Sequence, residues 1–215
     1  MALDKPRIVD LYRRRARDYD LTSKVFRLLG FREGHYRSLA IRALGLSPGD
    51  TVVDLGCGTG LNFPDLRARV GPAGRIVGVD LTDAMLERAR GRVQRAGWSN
   101  VDLVRSDAAE FDFPQGVAGV LSTNALTLVP EYDEVIGRAQ VALGPGARIA
   151  VLDFKEPAGW PEWAIRLYVE LGSPFAVSRD LAARKPWESI ARRFPVHAVM
   201  ELYGGAAYVA VGEKA

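Results

Sequence analysis

With 215 residues, 48% of them hydrophobic and 26% charged, the chain has the makeup of one globular domain. A chain of this length buries roughly 70% of its unfolded surface, and these fractions exclude wholesale disorder and a fibrous repeat. No apolar run approaches the roughly 20 residues of a membrane-spanning helix, and the first residues lack the apolar core of a secretory signal, so a cytoplasmic protein is expected. The net charge of +3 is mild but uneven, since Arg13, Arg14, Arg15 and Arg17 crowd one segment.

Ile8, Leu11 and Tyr12 recur at helical spacing ahead of that arginine run, and further helices are predicted over Leu21–Leu29 and His35–Leu44. Residues 1–46 thus read as a helical N-terminal cap. Past Ser47-Pro48-Gly49-Asp50 the pattern changes to short β-branched runs, TVVDL, RIVGVD, VDLVRSD, VAGVLST and ARIAVLD. Amphipathic stretches separate them at Asn62–Val70, Asp83–Ala96 and Glu131–Leu143, with Thr82 as the expected N-cap of the second. Pro161–Gly172 and Pro186–Phe194 look helical, and Pro195–Leu202 and Ala206–Val211 look like strands joined by Tyr203-Gly204-Gly205. Residues 47–215 therefore predict an α/β core that forms a single domain with the cap: a mostly parallel seven-stranded sheet with helices on both faces and one antiparallel strand.

The segment Val52-Val53-Asp54-Leu55-Gly56-Cys57-Gly58-Thr59-Gly60 sets a glycine-rich turn between the first strand and the next helix. Open α/β sheets bind ligands beyond the carboxyl ends of their strands, and glycines let the backbone approach the ligand closely. The spacing is G-x-G-x-G, not the dinucleotide pattern G-x-G-x-x-G. Asp54, just before the first glycine, suits a cationic amino-acid moiety better than a pyrophosphate. The methionine half of S-adenosylmethionine carries such a cation. Asp80 ends the second strand, where a carboxylate accepts from both ribose hydroxyls. Asp107 follows the third strand and can accept from the adenine amino group; Asn124, after the fourth, can contact cofactor or acceptor. A lone aspartate at a strand end is more often a turn-former, but three in this register point to one extended nucleoside ligand. Cys57, the single cysteine, reads as a small packing residue within the loop.

From Thr51 to Asp153 the chain resembles the class I S-adenosylmethionine-dependent methyltransferases, through VVDLGCGTG, GVDLTDAML, RSDAAEF, Leu126-Thr127-Leu128-Val129-Pro130 and LGPGARIAVLD. The resemblance implies a Rossmann-like fold, a cofactor set extended to Cys57, Leu81, Met85 and Ala108, and no metal. Tyr19-Asp20-Leu21-Thr22-Ser23-Lys24, STNALTLVPEY, LDFKEPAGWPEWAIRLY, Phe175-Ala176-Val177-Ser178-Arg179 and Leu202-Tyr203-Gly204-Gly205 are similar to bacterial phospholipid and betaine-lipid N-methyltransferases. That implies methylation of an amine, with Tyr19 closing over the cofactor and contacting it. A second resemblance, to the ubiquinone and menaquinone C-methyltransferases, runs through Tyr19-Asp20, Gly34-His35, Asp153 to Pro157 and Trp187-Glu188-Ser189-Ile190. It makes a quinone precursor the alternative acceptor and His35 the candidate base that removes a phenolic proton. The helix expected between Phe194 and the closing strands is nearly absent, which ranks this reading second. Trp160, Trp163 and Phe175 could wall an acyl or prenyl chain.

Two further expectations concern partners. The chain could bind S-adenosylmethionine without catalysis, as a sensor. The basic N-terminal segment, with Ile8, Val9, Leu11 and Tyr12 as a short apolar face, could contact the inner face of an anionic membrane. No nucleic-acid module accompanies the charge, so no nucleic-acid partner is expected.

Overall fold

The computed structural model describes residues 5–17, 31–172 and 184–215. Seven helices and seven strands lie within them: α1 (Lys5–Arg15), α2 (Glu33–Ala43), β1 (Thr51–Leu55), α3 (Phe63–Val70), β2 (Arg75–Asp80), α4 (Asp83–Ala96), β3 (Val101–Arg105), β4 (Val117–Thr123), α5 (Tyr132–Ala142), β5 (Leu143–Phe154), α6 (Glu162–Gly172), α7 (Pro186–Arg193), β6 (Val196–Leu202) and β7 (Ala207–Glu213). The predicted helix at Leu21–Leu29, Tyr19 and the Phe175–Arg179 segment lie outside the described residues.

The strands form one sheet in the order β3-β2-β1-β4-β5-β7-β6. β1 to β5 run parallel, and β7 runs antiparallel to both neighbours. The predicted sheet, with its single antiparallel strand, is therefore present. Reversal of strand order beside β1 opens a crevice at the carboxyl ends of β1 and β4, the position where such sheets take ligands.

Alternation along each strand divides the core between the two faces. Val53 and Leu55 of β1 pack with Val135, Ile136 and Ala139 of α5 and with Ile190 and Phe194 at the end of α7. Val52 points the other way, into Ile41 of α2, Phe63 and Leu66 of α3, and Leu86 and Ala89 of α4. Asp54 shares the parity of Val52, so its side chain enters the α2–α3 layer.

Two boundaries differ from expectation for local reasons. β5 begins at Leu143, four residues early, because Leu143 pairs with Val117 ahead of a register shift between Val117 and Gly119. β3 ends at Arg105 because Asp107 turns the chain, its Oδ1 accepting from the Ala109 amide at 2.9 Å. Thr82 does stand at the N-cap of α4 with extended backbone, but its side chain makes no capping bond. Its amide instead donates to Asp80 Oδ1 at 2.8 Å.

Contact between α7 and β7 is set by a missing side chain. A Cβ at Gly212 would stand 2.5 Å from Phe194 Cγ and 2.9 Å from Ile190 Cγ2. Gly212→Ala is expected to cost about 1–3 kcal/mol through overpacking. Gly34→Ala, with nothing within 4 Å of the added atom, should leave stability level or raise it by about 0.4–1 kcal/mol. Urea denaturation of both variants beside the wild type checks this, and equal midpoints would contradict the packing.

Candidate active site

Beyond the end of β1 the chain turns through Gly56, Gly58 and Gly60, with φ of 67°, 54° and 77°. Side chains are disfavoured in this left-handed region. Space enforces it further: a Cβ at Gly56 would lie 2.2 Å from Ala125 Cβ, and one at Gly60 would lie 2.5 Å from the Phe63 ring. At Gly58 nothing lies within 4 Å, and its amide donates to Asp80 Oδ2 at 2.9 Å. Burial pushes the Asp80 carboxyl above its ordinary pKa, against the pull of the Thr82 and Gly58 amides.

Gly56, Cys57, Gly58, Asp80, Leu81 and Met85 form one wall of a pocket, and Thr123, Asn124 and Ala125 another. Ser106 and Ala108 close its far end, while Ile8, Val9 and Tyr12 of α1 lie across the opening. The cofactor residues expected from the sequence therefore converge, with two exceptions.

Asp54 is the first. It is fully buried and does not line the pocket; both its oxygens accept from Asn62 Nδ2, at 3.0 and 3.1 Å. Its oxygens are thus turned to Asn62 and not to the pocket, where the sequence led us to expect them. Asn62 Oδ1 in turn accepts from Arg37 Nη1 at 3.0 Å, and Thr123 Oγ1 receives both Asn62 Nδ2, at 3.0 Å, and Arg37 Nη1. Glu33 Oε1 closes the chain, accepting from Arg37 Nε at 2.9 Å and Nη2 at 2.6 Å. Arg37 is only 8% exposed, yet it lines the pocket.

Asp107 is the second. Its carboxylate is paired with Lys5 Nζ at 2.7 Å, and it lines the adjoining space under α1 with Lys5, Arg13 and Arg105, without lining the cofactor pocket itself. Lys5 also reaches Glu131, and Arg13 grips Asp83 through Nε at 2.8 Å and Nη2 at 3.1 Å. Two ion-pair clasps thus hold α1 over the pocket.

The remaining predicted residues are readily placed. Cys57 is buried against Gly78 and the Phe63 layer, and burial together with Asp80 and Asp54 holds its thiol protonated. Asn124 sits at φ 56°, with a buried Oδ1 that has no protein donor and an Nδ2 that is 3.4 Å from Glu33 Oε1. His35 is exposed on α2 and is not among the pocket's lining residues. Tyr19 lies outside the described residues. Arg37, Asn62 and the α1 roof were not assigned to the cofactor site from the sequence. Arg37 could have been, since Tyr36, Ala40, Ile41 and Leu44 mark the buried face of α2 and Arg37 falls within it.

This donor set fits S-adenosylmethionine. A guanidinium on the pocket floor suits the methionine carboxylate, and the orphaned Asn124 Oδ1 suits its ammonium. Asp80, beside the open cradle at Gly58, suits ribose hydroxyls, and Leu81, Met85 and Ala108 offer apolar contact to adenine.

Burial raises the Asp54 carboxyl from 3.8 to about 7, against Asn62 and Arg37, which lower it. The folded protein therefore keeps a proton that the unfolded chain releases, and the associated stability, full below about pH 4, is lost as pH rises through 7. In thermal denaturation without cofactor, the wild type should lose stability relative to Asp54→Asn progressively between about pH 4 and 7 and then run parallel to it at higher pH. A difference independent of pH would contradict the assignment.

Known proteins supply the context. The family model described as a methyltransferase domain matches residues 46–174. The demethylmenaquinone methyltransferase of Lactococcus lactis subsp. lactis is 26% identical over 97% of this chain and 84% of its own length. The arsenite methyltransferase of Halobacterium salinarum is 32% identical over 54% of this chain and 30% of its own. The chain spans about half the length of the demethylmenaquinone methyltransferase of Listeria welshimeri, to which it is also similar. Among solved structures, geranyl diphosphate C-methyltransferase from Streptomyces coelicolor, in complex with S-adenosyl-L-homocysteine, superposes with a TM-score of 0.65 at 17% identity, over 90% of this chain and 83% of that one. With the fold, the glycine loop and the domain match in agreement, the chain belongs to the class I S-adenosylmethionine-dependent methyltransferases and is an enzyme of that family.

Proposed function

We propose that this enzyme methylates a small, largely apolar acceptor of the quinone-precursor type. The observation that carries the reading is the apolar side of the pocket, where Ile8, Val9, Tyr12 and Leu128 face the cofactor wall. The near whole-length similarity to a demethylmenaquinone methyltransferase supports a quinone precursor among apolar acceptors, and moves it ahead of the amine favoured by the sequence. Methylation of an amine, including a lipid head group, is the second reading. The Tyr12 ring on the pocket wall favours it, since aromatic faces suit a cationic product.

S-adenosylmethionine, when bound, supplies an electrophilic methyl group on a sulfonium. The chain's own task is to hold the acceptor in line, about 3 to 3.5 Å from that carbon, and to keep water out. Arg37, fixed by Glu33, Asn62 and Thr123, would anchor the carboxylate end. Asp80 would hold the ribose, exchanging its bond to the Gly58 amide for bonds to hydroxyls. Ile8, Val9 and Tyr12, which line the pocket, would help to keep water from it.

Their inward position also changes the membrane reading. No helix among the described residues is long and apolar enough to cross a membrane, and the apolar side of α1 is turned mainly to the pocket. Contact with an anionic surface would therefore rest on the outward Arg7, Arg14 and Arg17, each contributing on the order of 1 kcal/mol.

Two measurements test these assignments. Calorimetric titration should show S-adenosylmethionine binding weakened roughly 10- to 150-fold by Asp80→Ala or by Arg37→Gln, the loss of about 1.5–3 kcal/mol expected for one charged hydrogen bond. Wild-type affinity in both would exclude them from the site. For the acceptor, S-adenosylhomocysteine release should be followed over demethylated quinols and amines, with products read by mass spectrometry. Methyl groups on carbon of a quinol are expected; turnover confined to amine nitrogen would replace this reading with the second.

A further inference from the structure

Beyond the active site, β6 is the terminal strand of the sheet. Six of its seven residues are exposed, including Val196 at 61%, Val199 at 43% and Met200 at 52%. β6 pairs with β7 along its full length, from Val196 opposite Glu213 to Leu202 opposite Ala207. Among the described residues, no strand pairs with its other edge. An antiparallel strand turns alternate amides and carbonyls outward, so this edge presents a ladder of unused backbone groups. Natural proteins usually blunt such an edge with lysine, proline or a bulge. Here the strand VHAVMEL is regular in register and has neither lysine nor proline.

We propose that β6 pairs antiparallel with β6 of a second copy of this chain about a two-fold axis at Val199. The self-complementarity of the sequence selects that occupant. With Val199 opposite itself, Ala198 faces Met200 of the partner, Val196 faces Leu202, and His197 faces Glu201. Strand alternation puts Val196, Ala198, Met200 and Leu202 of both copies on one face, as a single apolar stripe. The other face carries Val199 against Val199, flanked on each side by a His197–Glu201 pair. Register shifts lose this match: a centre at Ala198 sets Glu201 against Pro195, and a centre at Met200 sets it against Val199. The interface is isologous, as closed two-fold dimers require, and it joins the two sheets into one.

His197 is free to take this part. Its Nδ1 lies 2.9 Å from the Phe194 carbonyl, which fixes the ring while Nε2 is directed elsewhere. Glu201 is bound on its own chain by Lys155, yet its side chain remains 60% exposed.

The test is sedimentation velocity of the full chain over a range of concentrations, with three variants. The wild type should dimerise. Val199→Lys, which puts two like charges on the axis, should raise the dimer dissociation constant at least tenfold, with thermal stability and S-adenosylmethionine binding retained. Val199→Cys should form a crosslinked dimer under mild oxidation through its introduced thiols, whereas Val196→Cys, whose partner position is Leu202, should not. A wild type that is monomeric at all concentrations would overturn the proposal. So would a dimer that persists in Val199→Lys or that crosslinks equally through position 196.

Discussion

Beneath the cofactor pocket a single guanidinium joins elements that are far apart in sequence. Arg37 of α2 reaches Asn62 at the mouth of α3 and Thr123 at the end of β4, and Asn62 passes the connection to Asp54 of β1. Burying a cation is costly unless its hydrogens are satisfied and a counter-charge is near. Glu33, one helical turn away, supplies both. The same cost binds the group together, because removing any partner strands the others in an apolar layer. Consequently the ends of β1 and β4 and the entry to the glycine loop have their relative positions fixed before any ligand arrives, which is the preorganisation a methyl transfer needs.

Around that network the apolar layer does complementary work. Phe63, fully buried, supports the loop from below, its ring filling the space that side chains at Gly60 and Gly78 would need. Met85, also buried, lines the pocket beside the loop. The loop is thereby held open by packing on one side and drawn toward Asp80 by a hydrogen bond on the other.

Much of this was legible from the residues. Strand runs such as RIVGVD and VAGVLST carry β-branched residues on both faces, because both faces are covered by helices. The G-x-G-x-G turn marks the crevice, and Asp80 is at the strand end where the spacing from the glycines puts it. What sequence position does not carry is the direction a side chain takes or the partner it finds. Asp54 lies in the right register but on the face that looks into α2 and α3. Asp107 stands at the right strand end, yet its partner, Lys5, is more than a hundred residues away in the chain. His35 and Arg37 are two residues apart on one helix, and that rotation exposes the first and buries the second. Register along a strand is local information, whereas long-range ion pairs are set by assembly of the whole fold.

The roof over the cofactor has a consequence of its own. No side chain of α1 between Lys5 and Arg15 is fully buried, so the helix is clasped more than it is packed. Ion pairs at such exposure are screened by solvent and weaken further in salt, a small hold beside that of a buried core helix. One clasp is made with Asp107 and Glu131, the other with Asp83. Because α1 lends Ile8, Val9 and Tyr12 to the pocket yet is held by surface charge, ionic strength acts on that wall of the chamber while leaving the buried Arg37 network untouched.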